Sequence, residues 1–295
     1  MVRKMIVVID FSNLVWSAFH SSLRFTKYEP ENCPPEYTGH VDAFHQKLIK
    51  ILQEQPCTEY YFALDSNPQG KFNIYPEYKK TRKRIAFKPK KAIYDLLEAW
   101  KAKVMYSEYM EADDVIAAYV ADHLDDDITV ATTDKDLWQL AENPKTKIYN
   151  FHKGIFVTKR ELNEAYGIDD FSQIKLCKTL WGDASDNVPN LIPRMQKNLM
   201  PHVVLTDGTL REFMKAVDKN WDSLSERCRQ ILDANRDKLK TNYELVRLNF
   251  DCEYCISEFD RSIVERGAGE EKEKEEKEKE KEKENEEINI DDIPF

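Results

Sequence analysis

A chain of 295 residues has room for one large or two ordinary domains, and its 41% hydrophobic and 11% aromatic residues are enough for a sizeable core. No apolar run approaches the ~18 residues of a membrane span, and the opening MVRKMIVVID lacks the long apolar stretch and cleavage site of a signal peptide. Six scattered cysteines, of which only Cys252 and Cys255 form a C-x-x-C, exclude a zinc ribbon and predict free thiols in a reducing, cytoplasmic setting. The net charge of −10 is uneven: residues 270–295 hold 13 acids and 6 lysines, leaving 41 acids and 38 bases in a nearly neutral body.

In chain order, KMIVVID (4–10) reads as a buried strand, and an amphipathic stretch follows from Ser12 to about Ser22. Residues 41–53 read as a helix, EYYFALD (59–65) as a second buried strand, and 89–102 as a helix with Pro89 in its first turn. KVMYSEY is a short strand, EADD opens the next helix, DITVATTD (127–134) is a strand, KDLWQLAE is helical, and KIYNF is a further strand. Strands spaced by helices predict βαβ units and a mainly parallel sheet. From about Thr158 the pattern turns helical, so a smaller second domain is expected.

Three carboxylates, Glu111, Asp113 and Asp114, crowd the start of the helix that EADD opens. Acidic helix starts are ordinary caps, which explains one or two of them. The strands, however, end in carboxylates as well: Asp10, Asp65 and Asp134, with Asp136 two residues on. A parallel sheet binds ligands beyond its carboxyl edge, and the EADD helix starts at that edge. Asp183 and Asp186, in the turn of WGDASDNVP, can fold back over it. Nine carboxylates in one cleft cannot all ionise unaided. Divalent cations resolve the conflict. An oxygen-only donor set points to magnesium, and two ions about 4 Å apart are suited to phosphodiester cleavage.

Residues 79–91 carry Lys79, Lys80, Arg82, Lys83, Arg84, Lys88, Lys90 and Lys91 with no acid, and Phe72, Tyr75, Tyr78 and Phe87 lie in or beside them. Cations with interleaved rings suit a nucleic-acid strand, although a solvated basic loop has the same composition. Neither G-x-G-x-x-G nor G-x-x-x-x-G-K-[ST] occurs, which argues against dinucleotide and P-loop enzymes.

VVIDFSN, LDSNPQGKFNIYPEYKKTR, YMEADDVIA, ATTDKDLWQL and WGDASDNVP, in this order over residues 5 to about 190, resemble the 5′-nuclease (flap endonuclease, 5′-3′ exonuclease) family, which shares its sheet with PIN-type nucleases. The short chain and its closing NYELVRLNFDCEY are more similar to the ribonuclease H branch of T-even phages. The resemblance implies an α/β, PIN-like nuclease domain over 1–165 with a basic arch or loop at 71–91 and a helical duplex-binding domain over 166–262; composition adds a disordered tail over 263–295. The resemblance further implies a monomeric, magnesium-dependent enzyme, with manganese able to substitute, that cleaves 5′ flaps, branched or nicked duplexes and RNA/DNA hybrids and removes RNA primers in DNA replication, as in phages. By motif, Asp10, Asp65, Glu111, Asp113, Asp114, Asp134, Asp136, Asp183 and Asp186 take metal-site roles. Asp113 and Asp134 join Lys79 and Arg82 at the chemistry, and Tyr78 matches a ring that stacks on the terminal base.

One segment departs from that pattern. After GDASDN the family has a glycine-rich hairpin that holds duplex phosphates with a potassium ion. Here NVPNLIPRMQKNLMPHV contains no glycine. The potassium site is left open, Asn190 is the candidate for a left-handed turn, and Arg194, Lys197 and Lys178 are expected to meet duplex phosphates directly.

The Glu/Lys tail cannot bury a core and is expected to be disordered, yet the chain ends in INIDDIPF. Asp291, Asp292, Ile293, Pro294 and Phe295 resemble the acidic tip of bacterial single-stranded-DNA-binding proteins, which implies docking on a replication partner. Alternatives are an autoinhibitory tail, a catalytically weak nucleic-acid-binding scaffold, which would have lost carboxylates, and a haloacid-dehalogenase-type phosphatase, which would need D-x-D where this chain has Asp10-Phe11-Ser12.

Overall fold

The computed structural model of the chain describes residues 4–66, 69–81, 87–192, 196–204 and 206–264. Strand β1 (Met5–Asp10) is followed by α1 (Phe11–Leu23), α2 (Gly39–Glu54), β2 (Glu59–Ala63), α3 (Gln69–Ile74), α4 (Lys90–Ala99), β3 (Lys103–Tyr106), α5 (Ala112–Asp122), β4 (Asp127–Ala131), β5 (Thr146–Asn150) and β6 (Ile155–Phe156). Helices α6 (Lys159–Tyr166), α7 (Ile174–Trp181), α8 (Gln196–Val204), α9 (Leu210–Lys219) and α10 (Glu226–Val246) follow, and then β7 (Cys255–Glu258). Among the described residues no helix is long and apolar enough to cross a membrane.

The seven strands lie in the order β6-β5-β4-β1-β2-β3-β7. β1 to β5 are parallel, while β6 and β7 close the edges antiparallel. The strand order reverses beside β1, so β1 and β4 flank the switch point where ligands enter such sheets. β1 is buried on both faces by its period-2 alternation. Ile6 and Val8 join a cluster with Tyr61, Met105, Val115 and Val130, while Val7 and Ile9 join one with Phe44, Phe62, Ile93 and Val104.

The parallel core follows the sequence pattern, with differences at its margins. The helical KDLWQLAE takes the tighter 3-10 form over Asp136–Glu142, with Leu137, Trp138, Gln139 and Leu140 buried. The edge strand β7 comes from the part of the chain read as helical. It pairs with β3 in register Val104 to Ser257. One apolar cluster accordingly runs from Ile6 to Cys252, seating the later helices on the sheet.

Register decides what reaches the carboxyl edge. Asp10 is level with Ala63, and Ile9 is level with Ala131. Asp65 and Asp134 therefore emerge only two and three residues beyond their strands, beside Asp10. The loop after α7 returns to the same edge. Asp183 donates its N–H to Val188 O at 3.0 Å, and Val188 returns one to Asp183 O at 2.8 Å. Gly182 makes this closure possible: its φ is 71°, and a Cβ there would stand 2.4 Å from Val188 O. The left-handed side-chain-bearing residue of this loop is Asn187 (φ 58°), not Asn190, because the reversal falls immediately after Asp186.

Candidate active site

Asp10 both ends β1 and caps α1. Its carboxylate accepts from Asn13 N at 3.1 Å and from the Thr132 hydroxyl at 2.9 Å. Burial, followed by the negative field of Asp65, pushes its pKa up to about 7. Asp113, in the first turn of α5, is held well above the usual carboxylate range by burial and by Asp134, Asp10 and Glu111. Burial also raises Asp134, with Asp186 and Asp183 adding to it against the opposing Lys178. These three acids repel one another where water cannot screen them. Helix starts are satisfied by Asp10, by Asp65 through Ala112 N and by Asp134 through Asp136 N, whereas Asp113 caps nothing that is described.

The other carboxylates have cations. Glu111 receives Lys71 at 2.7 Å and also pairs with Lys79, while Lys79 stands 3.8 Å from Asp186. Burial favours protonation of Glu111, but the two ammonium groups win and its pKa is lowered. Asp114 lies 3.5 Å from Lys71 and accepts from the Asn249 N–H at 2.9 Å, so it ties α5 to the chain leading into β7. Asp65 accepts from Ala112 N at 3.1 Å and from the Ser12 hydroxyl, and meets Lys90 at 3.4 Å. Asp183 and Asp136 share Lys178. All nine predicted carboxylates thus lie at one edge of the sheet. Among the described residues, no three acidic, histidine or cysteine groups are drawn in as tightly as a finished metal-ligand set. The oxygen-only donors and the mutually raised Asp10, Asp113 and Asp134 nevertheless fit a hard divalent cation, which would relieve that repulsion.

The basic segment is placed less simply. Lys79 adopts a left-handed backbone (φ 57°), and its N–H donates to Asp186 O at 2.9 Å. Asn187 Nδ2 donates to Glu77 O at 2.7 Å. Two loops distant in sequence are therefore clamped together, and the clamp aims Lys79 Nζ into the acidic cleft. Tyr78 corrects the expectation of an exposed stacking ring. It is 2% exposed, packs with Phe72, Tyr75, Val188, Leu245 and Val246, and holds its hydroxyl 3.1 Å from Glu111 and 3.0 Å from Asp186. Lys178 corrects another. It is buried against Asp136 and Asp183 rather than presented to a duplex, because those acids are the nearest counter-charges to its helix end.

Lys88 and Lys91 are exposed, and Lys80 is exposed beside Glu77 at 2.8 Å. Lys90 turns to Asp65 instead of the solvent face. Arg82, Lys83, Arg84 and Arg194, the side chain of Lys197, and Asp291, Asp292, Ile293, Pro294 and Phe295 lie outside the described residues. Sequence reading missed Lys71, which stands before the basic run but shares its sheet edge. It also missed the Asn249 contact, which carries no local signal.

A mostly parallel sheet that gathers carboxylates beneath a lysine-bearing turn has the PIN-like 5′-nuclease fold. Residues 5–167, more than half of the chain, match the family described as 5′-3′ exonuclease, N-terminal resolvase-like domain, and the chain belongs to that family. It is 26% identical over 259 residues to DNA polymerase I of Bacillus subtilis (strain 168), covering 84% of this chain and 28% of the relative. The chain thus spans about three tenths of the polymerases it matches. It is 24% identical to flap endonuclease Xni of Vibrio campbellii, covering 77% of this chain and 89% of that one. Its fold is similar to that of T5 D15 protein co-crystallised with metal ions, with a TM-score of 0.62 and 19% identity over 83% of this chain and 90% of that chain.

Proposed function

We propose that the chain is a structure-specific 5′-3′ exonuclease and flap endonuclease, acting on 5′ flaps, nicked duplexes and RNA/DNA hybrids and removing primers during replication, including phage replication. The observation that carries this reading is the convergence, beside Lys79, of Asp10, Asp113 and Asp134, three buried acids that repel one another. Magnesium ions, with manganese as a substitute, would be held by these acids with Asp65, Glu111, Asp114, Asp136, Asp183 and Asp186. Bound there, they would supply Lewis-acid stabilisation and an activated water.

The chain's own groups do the positioning. Lys79, fixed by Asp186 O and by the buried Tyr78, offers an ammonium where charge grows on the scissile phosphate. Arg82 is proposed to join it. Exposed Lys88 and Lys91, with Lys80, Lys83, Arg84, Arg194 and Lys197, track phosphates, an interaction that salt weakens. Residues 291–295 are proposed as a partner-docking tip.

The reading is tested with 5′-labelled flap and RNA/DNA substrates, with and without magnesium. Cleavage that requires magnesium and is lost in Asp113→Asn supports it; inertness of the wild-type chain on every duplex and flap in magnesium refutes it. Deleting Phe295 should abolish partner capture and leave cleavage of naked DNA unchanged, whereas a rise in low-salt activity on removing the whole tail would favour autoinhibition.

A further inference from the structure

Lys178 occupies a place where a cation is required. It lies in the last turn of α7 and is 7% exposed. Its Nζ is 2.6 Å from Asp183 Oδ2 and also pairs with Asp136 Oδ1. Asp183 is in turn braced by the Ser185 N–H at 2.8 Å, and Asp136 donates its N–H to Asp134 at 2.9 Å. The ammonium therefore bridges two chain segments 47 residues apart, and it is the largest opposing charge on neighbouring Asp134. A cavity of about 460 Å³, whose lining includes Asp134, Lys135, Lys178, Gly182 and Asp183, opens beside it. The flexible lysine stem has room to swing there.

The other half of the cleft differs. Among the described residues Lys71 and Lys79 take up Glu111, Asp114 and Asp186, while no ion pair within 4 Å reaches Asp10 or Asp113. A divalent ion could settle against Asp10 and Asp113 without displacing anything. To use Asp136 and Asp183 it must first displace an ammonium group.

We propose that Lys178 is a built-in counter-cation that competes with divalent metal for Asp136 and Asp183, so that this half of the site fills only when the lysine leaves, and the released ammonium then becomes available to a substrate phosphate. The inference rests on the nuclease reading. Toward the metal, Lys178 acts through the two carboxylates it pairs with.

The test reads metal binding rather than turnover. Metal-free wild-type chain, Lys178→Met and Lys178→Arg are titrated with magnesium and with manganese by calorimetry, and their melting is followed at each metal concentration. Methionine keeps most of the stem's volume and removes its charge. Losing a unit charge a few ångströms from the ion should tighten the weaker binding step roughly tenfold or more. The metal-free Lys178→Met chain should melt lower than wild type and gain more from magnesium, while Lys178→Arg should keep the wild-type affinity. A Lys178→Met chain that folds only with magnesium present supports competition; one unfolded with and without magnesium overturns it and leaves a structural role. Equal or weaker metal binding in Lys178→Met also overturns it. Absence of any divalent binding to the wild-type chain would instead remove the nuclease reading itself.

Discussion

The carboxyl edge of the sheet and the turn that carries Lys79 face each other across one cleft, yet they are positioned by opposite means. Asp10 is the last residue of a strand hydrogen-bonded on both sides, and it caps the next helix as well. Asp113 stands in the first turn of a helix whose body is buried almost all round. Residues 75–81 belong to no strand or helix. Their shape comes from Asp186 O, from Asn187 Nδ2, and from Tyr78 buried between Val188 and Val246. The acids are thus set by secondary structure and tuned by one another. The lysine is set by a second loop, at the cost of a left-handed backbone, as strained residues at functional sites often are.

The largest effect is expected at Asp113. Asp113→Asn should lower single-turnover cleavage about a thousandfold or more, since it removes an acid that has no local substitute. Duplex affinity should hold or tighten as negative charge is lost, and the fold should remain. Near-normal cleavage in magnesium would show that the acidic cleft is not the reaction centre.

Lys79 sharpens the contrast because its two roles separate. Both Lys79→Ala and Lys79→Gly should cut kcat about a hundredfold with little change in Kd, as expected of a cation that acts mainly as charge develops. Glycine tolerates the left-handed backbone and alanine does not, so the glycine variant should unfold about 1 kcal/mol later than the alanine variant. Equal stabilities in denaturant would mean that the clamp does not impose that backbone in solution.

A third consequence follows from pH. The folded pKa of Asp10, about 7, lies above that of an unfolded aspartate, near 3.9. Between those values the folded state holds the extra proton, so stability falls as pH rises through the window and levels off above about 7. The metal-free chain should melt several degrees lower at pH 8 than at pH 6, and magnesium should recover the loss at pH 8. The same slope in Asp10→Asn would assign it to another group. The smallest effect belongs to the exposed cations: changing Lys88 and Lys91 together to alanine should weaken duplex binding a few-fold and lower the salt slope by about 2, with kcat intact. A change in kcat would put them inside the reaction centre.

The sequence by itself determined the parallel sheet and the gathering of acids. Buried strands announce themselves as unbroken apolar runs, and in a parallel sheet every strand that ends in an acid must deliver it to the same edge. Asp10, Asp65, Asp134 and the EADD helix were legible for that reason, and the ordered motifs carried the family resemblance with them. Tertiary structure alone decided the cations. Lys79, Lys90 and Lys178 read as cations for nucleic-acid phosphates and Lys71 carried no signal, yet each turns inward to an acid. A lysine stem is long and flexible, so its direction is chosen by whichever carboxylate the fold brings within reach, and no local pattern encodes that choice. The same holds for Tyr78, which is buried by Val188, Leu245 and Val246 from more than 100 residues away as well as by nearby Phe72 and Tyr75, and for β7, a short, mostly exposed edge strand that exists because β3 offers it an open ladder. Alternation and capping are written in neighbouring residues, whereas the pairing of charges across the cleft is settled only by the three-dimensional fold.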